Sequence, residues 1–236
     1  ETLTDKQVGY VMHTRQREQT GNEFLSLEQQ RVVAISIAMR SRDGFKVWSL
    51  GEQDSPEEEL VRRFFDGIER LAPTLVSWNG AGFDLPVLHY RALRHKVQAH
   101  RYWEMGDMDQ SYKWNNYISR FHWRHVDLMD VLSGFQGRGR VGLDKMAQLL
   151  GFPGKLGMSG EGVWDAFLEG RIDDIRNYCE TDVINTYLIY LRFELMRGRL
   201  THEEHDRECA LVQSWLGAAG KPHLGEFLQA WTAGAG

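Results

Sequence analysis

The chain has 236 residues, enough for one sizeable α/β domain and cramped for two. Hydrophobic content of 42% and aromatic content of 11% belong to an ordinary folded protein, and no apolar run is long enough to span a membrane. Cys179 and Cys209 have no paired spacing, which argues against a disulfide framework or zinc site and fits a reducing, cytoplasmic setting, while a net charge of −5 argues against a uniformly basic nucleic-acid binder.

Residues 5–30 are polar and read as an irregular loop. From Arg31 to Arg42 the pattern is that of a strand, with Phe45 to Leu50 as its hairpin partner across Asp43-Gly44. Ser55-Pro56-Glu57-Glu58 reads as a capping box with proline at the first helical position, starting a helix that runs to about Leu71. Leu75, Val76 and Trp78 make a short buried strand over 74–78. Asn79-Gly80 and Gly82 break it where positive φ is cheap. Phe83-Asp84 then opens a helix over 85–96, with Pro86 in its first turn. Asp84 thus stands at a strand-to-helix turn, where a carboxylate either caps the helix or does chemistry.

The segment from Arg91 to His125 is locally basic. Arg91, Arg94, Lys96, Arg101, Lys113, Arg120 and Arg124 face only Glu104, Asp107 and Asp109 in the sequence. Tyr102, Trp103, Tyr112, Trp114, Tyr117, Phe121 and Trp123 are interleaved with them. Positive charge mixed with rings is the composition of a single-strand groove, and equally of a loop pinned to the core by its aromatics. A short strand ends at His125 to Asp127, followed by a helical turn from Leu128. Gly134 to Gly142 is a glycine- and arginine-rich connector that reads first as a flexible solvated loop, with Arg138 and Arg140 as candidates for phosphate contact. Helices are expected over about 143–150, 161–169, 172–197, 201–218 and 223–232. In the long one, Ile175, Tyr178, Val183, Thr186, Tyr187 and Tyr190 fall on or near one stripe. Tyr178 and Asp182, four residues apart, share a side of that helix one turn apart. A carboxylate facing inward there needs a partner or a cation, because burying it alone is costly. Strands early and helices late describe an α/β fold.

Asn79-x-x-x-Phe83-Asp84 and Tyr178-x-x-x-Asp182 resemble the second and third motifs of the DEDD superfamily of 3′–5′ exonucleases, in its tyrosine-bearing branch. His125-Val126-Asp127-Leu128-Met129-Asp130, Gly142-Leu143-Asp144, Leu150-Gly151-Phe152-Pro153-Gly154-Lys155 and Tyr178-Cys179-Glu180-Thr181-Asp182-Val183 are similar to the predicted exonucleases related to the proofreading domain of family-B DNA polymerases. The resemblance runs from about Glu1 to Trp231 and implies a single exonuclease domain over 1–236 with a ribonuclease-H-like mixed sheet flanked by helices, helix-rich in its C-terminal half. It matches Glu1 to the glutamate of the family's first motif and places that motif's aspartate two residues further upstream. The first strand is therefore expected to precede Glu1; the alternative is an incomplete site.

The resemblance further implies that Glu1, Asp84 and Asp182 hold two Mg²⁺ or Mn²⁺ ions, hard cations suited to oxygen ligands. Tyr178 would orient or help deprotonate the attacking water, and Asn79, Trp78 and Phe83 would shape the turn or meet the terminal nucleotide. The implied reaction is metal-dependent 3′–5′ hydrolysis of single-stranded nucleic acid, DNA ahead of RNA, to nucleoside 5′-monophosphates. The alternatives are an exoribonuclease, since nothing in the sequence reads a 2′-hydroxyl, and an inactive nucleic-acid-binding module.

Overall fold

A computed structural model describes residues 3–234. Glu1 lies outside the described residues. The chain forms α1 (Asp5–Thr20), a hairpin of β1 (Ser36–Ser41) and β2 (Gly44–Ser49), α2 (Glu57–Leu71), β3 (Leu75–Ser77) and α3 (Asp84–His95). It continues with β4 (His125–Asp127), α4 (Leu128–Leu132), α5 (Leu143–Leu149), α6 (Val163–Leu168), α7 (Ile172–Met196), α8 (His202–Ala218) and α9 (Pro222–Ala233). No helix among the described residues is long and apolar enough to cross a membrane.

The fold is mixed α/β. Its described strands make two separate two-stranded ladders rather than one joined mixed sheet. β1 and β2 are antiparallel, and β3 and β4 are parallel with Leu75 opposite His125 and Ser77 opposite Asp127. Parallel strands present their carboxyl ends together, so Ser77 and Asp127 finish side by side. The turn before α3 and the start of α4 grow out of that edge.

α7 is the central helix, packed against β1, β2, β3, α5, α6, α8 and α9. Its Ile184, Leu188, Ile189 and Leu191 join Phe45, Val47, Val126, Val212, Leu224 and Phe227 in the larger core. Enclosure on several sides explains why its burial departs from the single stripe read from the sequence: Ile184, Leu188 and Leu191 are buried on one side of the helix and Ile175, Thr186 and Ile189 on the opposite side. A second core lies between α2 and α3, where Val61, Phe65, Ile68, Leu85 and Leu88 close on Tyr102, Tyr112 and Tyr117. Glu180 of α7, itself buried, accepts from Ser49 at 3.0 Å, Lys221 at 2.9 Å and, on the other oxygen, pairs with His223 at 2.9 Å. It fixes the start of α9 and the end of β2 against α7.

Three local expectations are corrected. Residues 5–20 are a helix, not a loop: Thr4 and Gln7 form a capping box, and Gly9 lets the ring of Trp164 approach so closely that a Cβ there would sit 2.2 Å from it. Ser55 does not cap α2; its hydroxyl accepts the Glu52 N–H at 2.9 Å, Pro56 is the cap residue, and Glu57 turns inward to Arg91, to His95 at 2.8 Å and to the Val32 N–H at 2.8 Å. β1 begins at Ser36, and its register pairs Ser41 with Gly44, which makes Arg42-Asp43 the turn pair.

Candidate active site

The turn that carries Asp84 is built by another carboxylate. Asp127, at the end of β4, accepts the Asn79 N–H through Oδ1 at 2.9 Å and the Ala81 N–H through Oδ2 at 2.9 Å. Oδ1 also accepts the Met129 and Asp130 N–H groups at 3.2 and 3.4 Å, which caps α4. Asn79 adopts φ 62°, a left-handed conformation that asparagine tolerates. Gly80 is required by space: a Cβ there would lie 2.3 Å from Ser77 Oγ. The ring of His125 is within 2.8 Å of that same hydroxyl, and burial holds its pKa down.

Asp84 follows as the first residue of α3. The cap residue is Phe83, and no side-chain capping bond is made, so helix capping does not account for the Asp84 carboxylate. Its residue keeps contact with solvent while protein atoms crowd the carboxyl. That desolvation pushes its pKa up to about 6; the hydrogen bond to its own backbone opposes the shift, and the charges of Asp127 and Asp182 add to it. Asp182 arrives from α7, half-buried, and is likewise pushed up to about 6 by burial, with the Tyr178 hydroxyl and the Lys155 charge offsetting part of the shift and Asp144 adding to it. Among the described residues its Oδ1 is buried with no hydrogen-bond partner. Burial first and the adjacent Asp182 charge second raise the Tyr178 phenol, which stays protonated at neutral pH.

Lys155 enters from a loop clamped twice. Asn185, fully buried on α7, donates to the Gly154 carbonyl at 2.8 Å and accepts the Gly154 N–H at 3.3 Å. Asp144 of α5 accepts the Lys155 N–H at 2.8 Å. Gly154 has φ 68°, and a Cβ there would lie 2.4 Å from Asp144 Oδ1. The loop carries Lys155 Nζ to 6.0 Å above the Tyr178 ring.

The structure therefore brings Asp84, Asp182 and Tyr178 together. Asn79 shapes the turn, Trp78 donates its indole N–H to the Val141 carbonyl at 3.2 Å, and Phe83 stands beside Asp84 with its ring 5.5 Å from that of exposed Phe24. Asp127, Asp144, Lys155 and Asn185 have roles that spacing alone does not show, since each acts on backbone or charge far away in sequence. The basic aromatic segment divides. Tyr102, Tyr112 and Tyr117 are core, whereas Trp103, Trp114, Phe121 and Trp123 are 49–79% exposed. Cys179, beside Tyr178, is a half-buried free thiol raised by burial to about 12, and is inert at neutral pH.

Among the described residues no group of three or more His, Cys, Asp or Glu side chains is arranged to hold a metal ion. The two described carboxylates nonetheless suit a cation. They are oxygen donors, both resist ionisation where they stand, and Asp182 has an orphaned buried oxygen. Comparison with curated proteins returns no match. A family model described as a predicted 3′–5′ exonuclease related to the exonuclease domain of PolB matches residues 22–231, and the chain belongs to that family.

Proposed function

We propose that the protein is a divalent-metal-dependent 3′–5′ exonuclease of the tyrosine-bearing DEDD type, with a ribonuclease-H-like arrangement, acting on single-stranded nucleic acid with DNA preferred. The observation that carries this reading is the convergence of Asp84 and Asp182 from α3 and α7, both raised to about 6, with Asp182 Oδ1 unsatisfied among the described residues. Two neighbouring carboxylates raised chiefly by burial mark a site arranged for a cation rather than for stability. Asp84 and Asp182, joined by Glu1 through the family resemblance, would hold Mg²⁺ or Mn²⁺. Bound there, two such ions would supply charge neutralisation at the phosphate and the leaving 3′ oxygen and would lower the pKa of a water.

The chain's own residues set the geometry. Tyr178, protonated, positions the attacking water by hydrogen bonding and does not remove its proton. Lys155 adds positive charge on the Tyr178 side, where a non-bridging phosphate oxygen gains from it. Phe83 and Phe24 offer rings to the terminal base next to Asp84. Hydrolysis joins the water oxygen to phosphorus and breaks the bond to the 3′ oxygen, which leaves with a proton, so the product is a nucleoside 5′-monophosphate.

Matched single-stranded DNA and RNA oligonucleotides incubated with the protein and Mg²⁺ test the proposal. The expected result is release of nucleoside 5′-monophosphates, faster from DNA. Nucleoside 3′-monophosphates, or internal cleavage products, would contradict it.

A further inference from the structure

Beyond the catalytic recess, two arginines share one buried carboxylate. Asp130 is 5% exposed, and its Oδ2 accepts Arg120 Nη2 at 2.8 Å while Oδ1 accepts Arg140 Nη2 at 2.6 Å. The arginines come from separate loops, and their side chains remain 46% and 39% exposed. Two guanidinium charges against one carboxylate leave a net positive charge. Each arginine uses one nitrogen on Asp130, which leaves further N–H donors of a rigid fork for another acceptor. Aromatic rings surround the pair. The Arg120 guanidinium lies 4.8 Å over Phe135 and 6.0 Å over Phe121, and those rings meet edge to face at 5.1 Å. Phe121 is 70% exposed. Phe135 holds φ 61°, unusual for a bulky residue, and this backbone turns its ring onto Arg120.

This cluster is tied to the catalytic turn. The Asp130 N–H bonds to Asp127 Oδ1, the same oxygen that accepts the Asn79 N–H. Val141, next to Arg140, accepts the indole N–H of Trp78, next to Asn79. A strand entering the recess would have its phosphates and bases matched by paired guanidiniums and exposed rings a short way along.

We propose that Arg120 and Arg140, pre-oriented by Asp130, form a phosphate clamp for the single-stranded nucleic acid whose 3′ end occupies the catalytic recess, with Phe121 stacking a base beside it. The clamp rests on the exonuclease reading and deepens it. Asp130 acts as a positioning residue that holds two like-charged forks in one place.

Binding of a fluorescein-labelled single-stranded oligonucleotide, measured by anisotropy over a salt series with chelator present, tests the clamp without turnover. Each phosphate contact contributes about 0.7 to the slope of log K against log salt for a single strand. Arg120→Gln and Arg140→Gln should each lower that slope by about one such increment, and Arg140→Lys should retain it. Thermal melts of the same variants show whether they are folded. Folded Gln variants with the parental slope and affinity would overturn the clamp while leaving exonuclease activity of the parent to stand. A parent that neither binds nor degrades the oligonucleotide would overturn both readings.

Discussion

The Asp127 carboxylate holds the backbone N–H of Asn79 at 2.9 Å, so the end of β4 fixes the turn that delivers Asp84. This buried carboxylate, which accepts backbone N–H groups at Asn79, Ala81, Met129 and Asp130, organises the turn and the start of α4.

Replacing Asp127 with alanine would strand those buried donors and remove the α4 cap, at a cost of about 2–4 kcal/mol. Denaturant unfolding should show that loss for Asp127→Ala and a smaller one for Asp127→Asn, whose amide oxygen still accepts. Equal and negligible losses in both would mean that the turn holds itself.

Gly154→Ala should displace the loop that presents Lys155. Its φ of 68° and a Cβ 2.4 Å from Asp144 Oδ1 make the substitution strained, by about 1–3 kcal/mol. The kcat for oligonucleotide hydrolysis should fall along with stability. Lys155→Met should reduce kcat with little effect on the melting temperature, because Lys155 is exposed. An unchanged kcat in Lys155→Met would remove the lysine from the mechanism.

The raised carboxyls predict an unusual pH dependence of stability. Asp84 and Asp182 ionise near 3.8 when unfolded and about 6 when folded, so the folded state holds the extra protons. Their contribution is present below about 3.8 and is lost as pH rises through about 6. Without metal, the parent's melting temperature should therefore fall relative to that of Asp182→Asn between those values, a comparison that cancels the opposing contribution of the lowered Glu57, Glu180 and Glu208, and Mg²⁺ should restore it increasingly at higher pH. Asp182→Asn should flatten the metal-free profile and raise stability near neutrality. A metal-free parent whose melting temperature runs parallel to that of Asp182→Asn across the same interval would show the Asp182 carboxyl to be solvated.

Tyr178→Phe keeps the ring and loses the hydroxyl. The phenol is too weak an acid here to act as a base, so the variant should lose turnover without acquiring a new pH limb. Its metal-dependent stabilisation should match the parent. A pH–rate profile that shifts with Tyr178→Phe would assign proton transfer to the phenol.

Much of the site is legible in the chain because its chemistry is local. Tyr178 and Asp182 lie one helical turn apart, and Asn79 to Asp84 is a strand-turn-helix with glycines where space demands them. What escapes is set by distant contacts. Asp127 reads as the end of a strand until the register places it opposite Ser77, and Asn185 reads as a polar helix residue until it closes on Gly154. Arg140 reads as a loop cation, solvated or on phosphate, and is found on Asp130, a pairing no local pattern announces. α1 is the clearest miss. Thr4-x-x-Gln7 was a visible capping signal, but the helix lacks a broad apolar face and leans on a Gly9–Trp164 contact that no local pattern announces. Ser55-x-x-Glu58 resembles a capping box, but the Ser55 hydroxyl accepts the Glu52 N–H and α2 starts one residue later, with Pro56 as its cap residue.

The most direct test of the account is the fate of a 5′-labelled single strand incubated with the protein and Mg²⁺ or Mn²⁺, beside Asp182→Asn. The account predicts a ladder shortening from the 3′ end, abolished by chelation and by Asp182→Asn, with the variant still folded by its melting transition. A ladder that persists with chelator, or with Asp182→Asn, would contradict it.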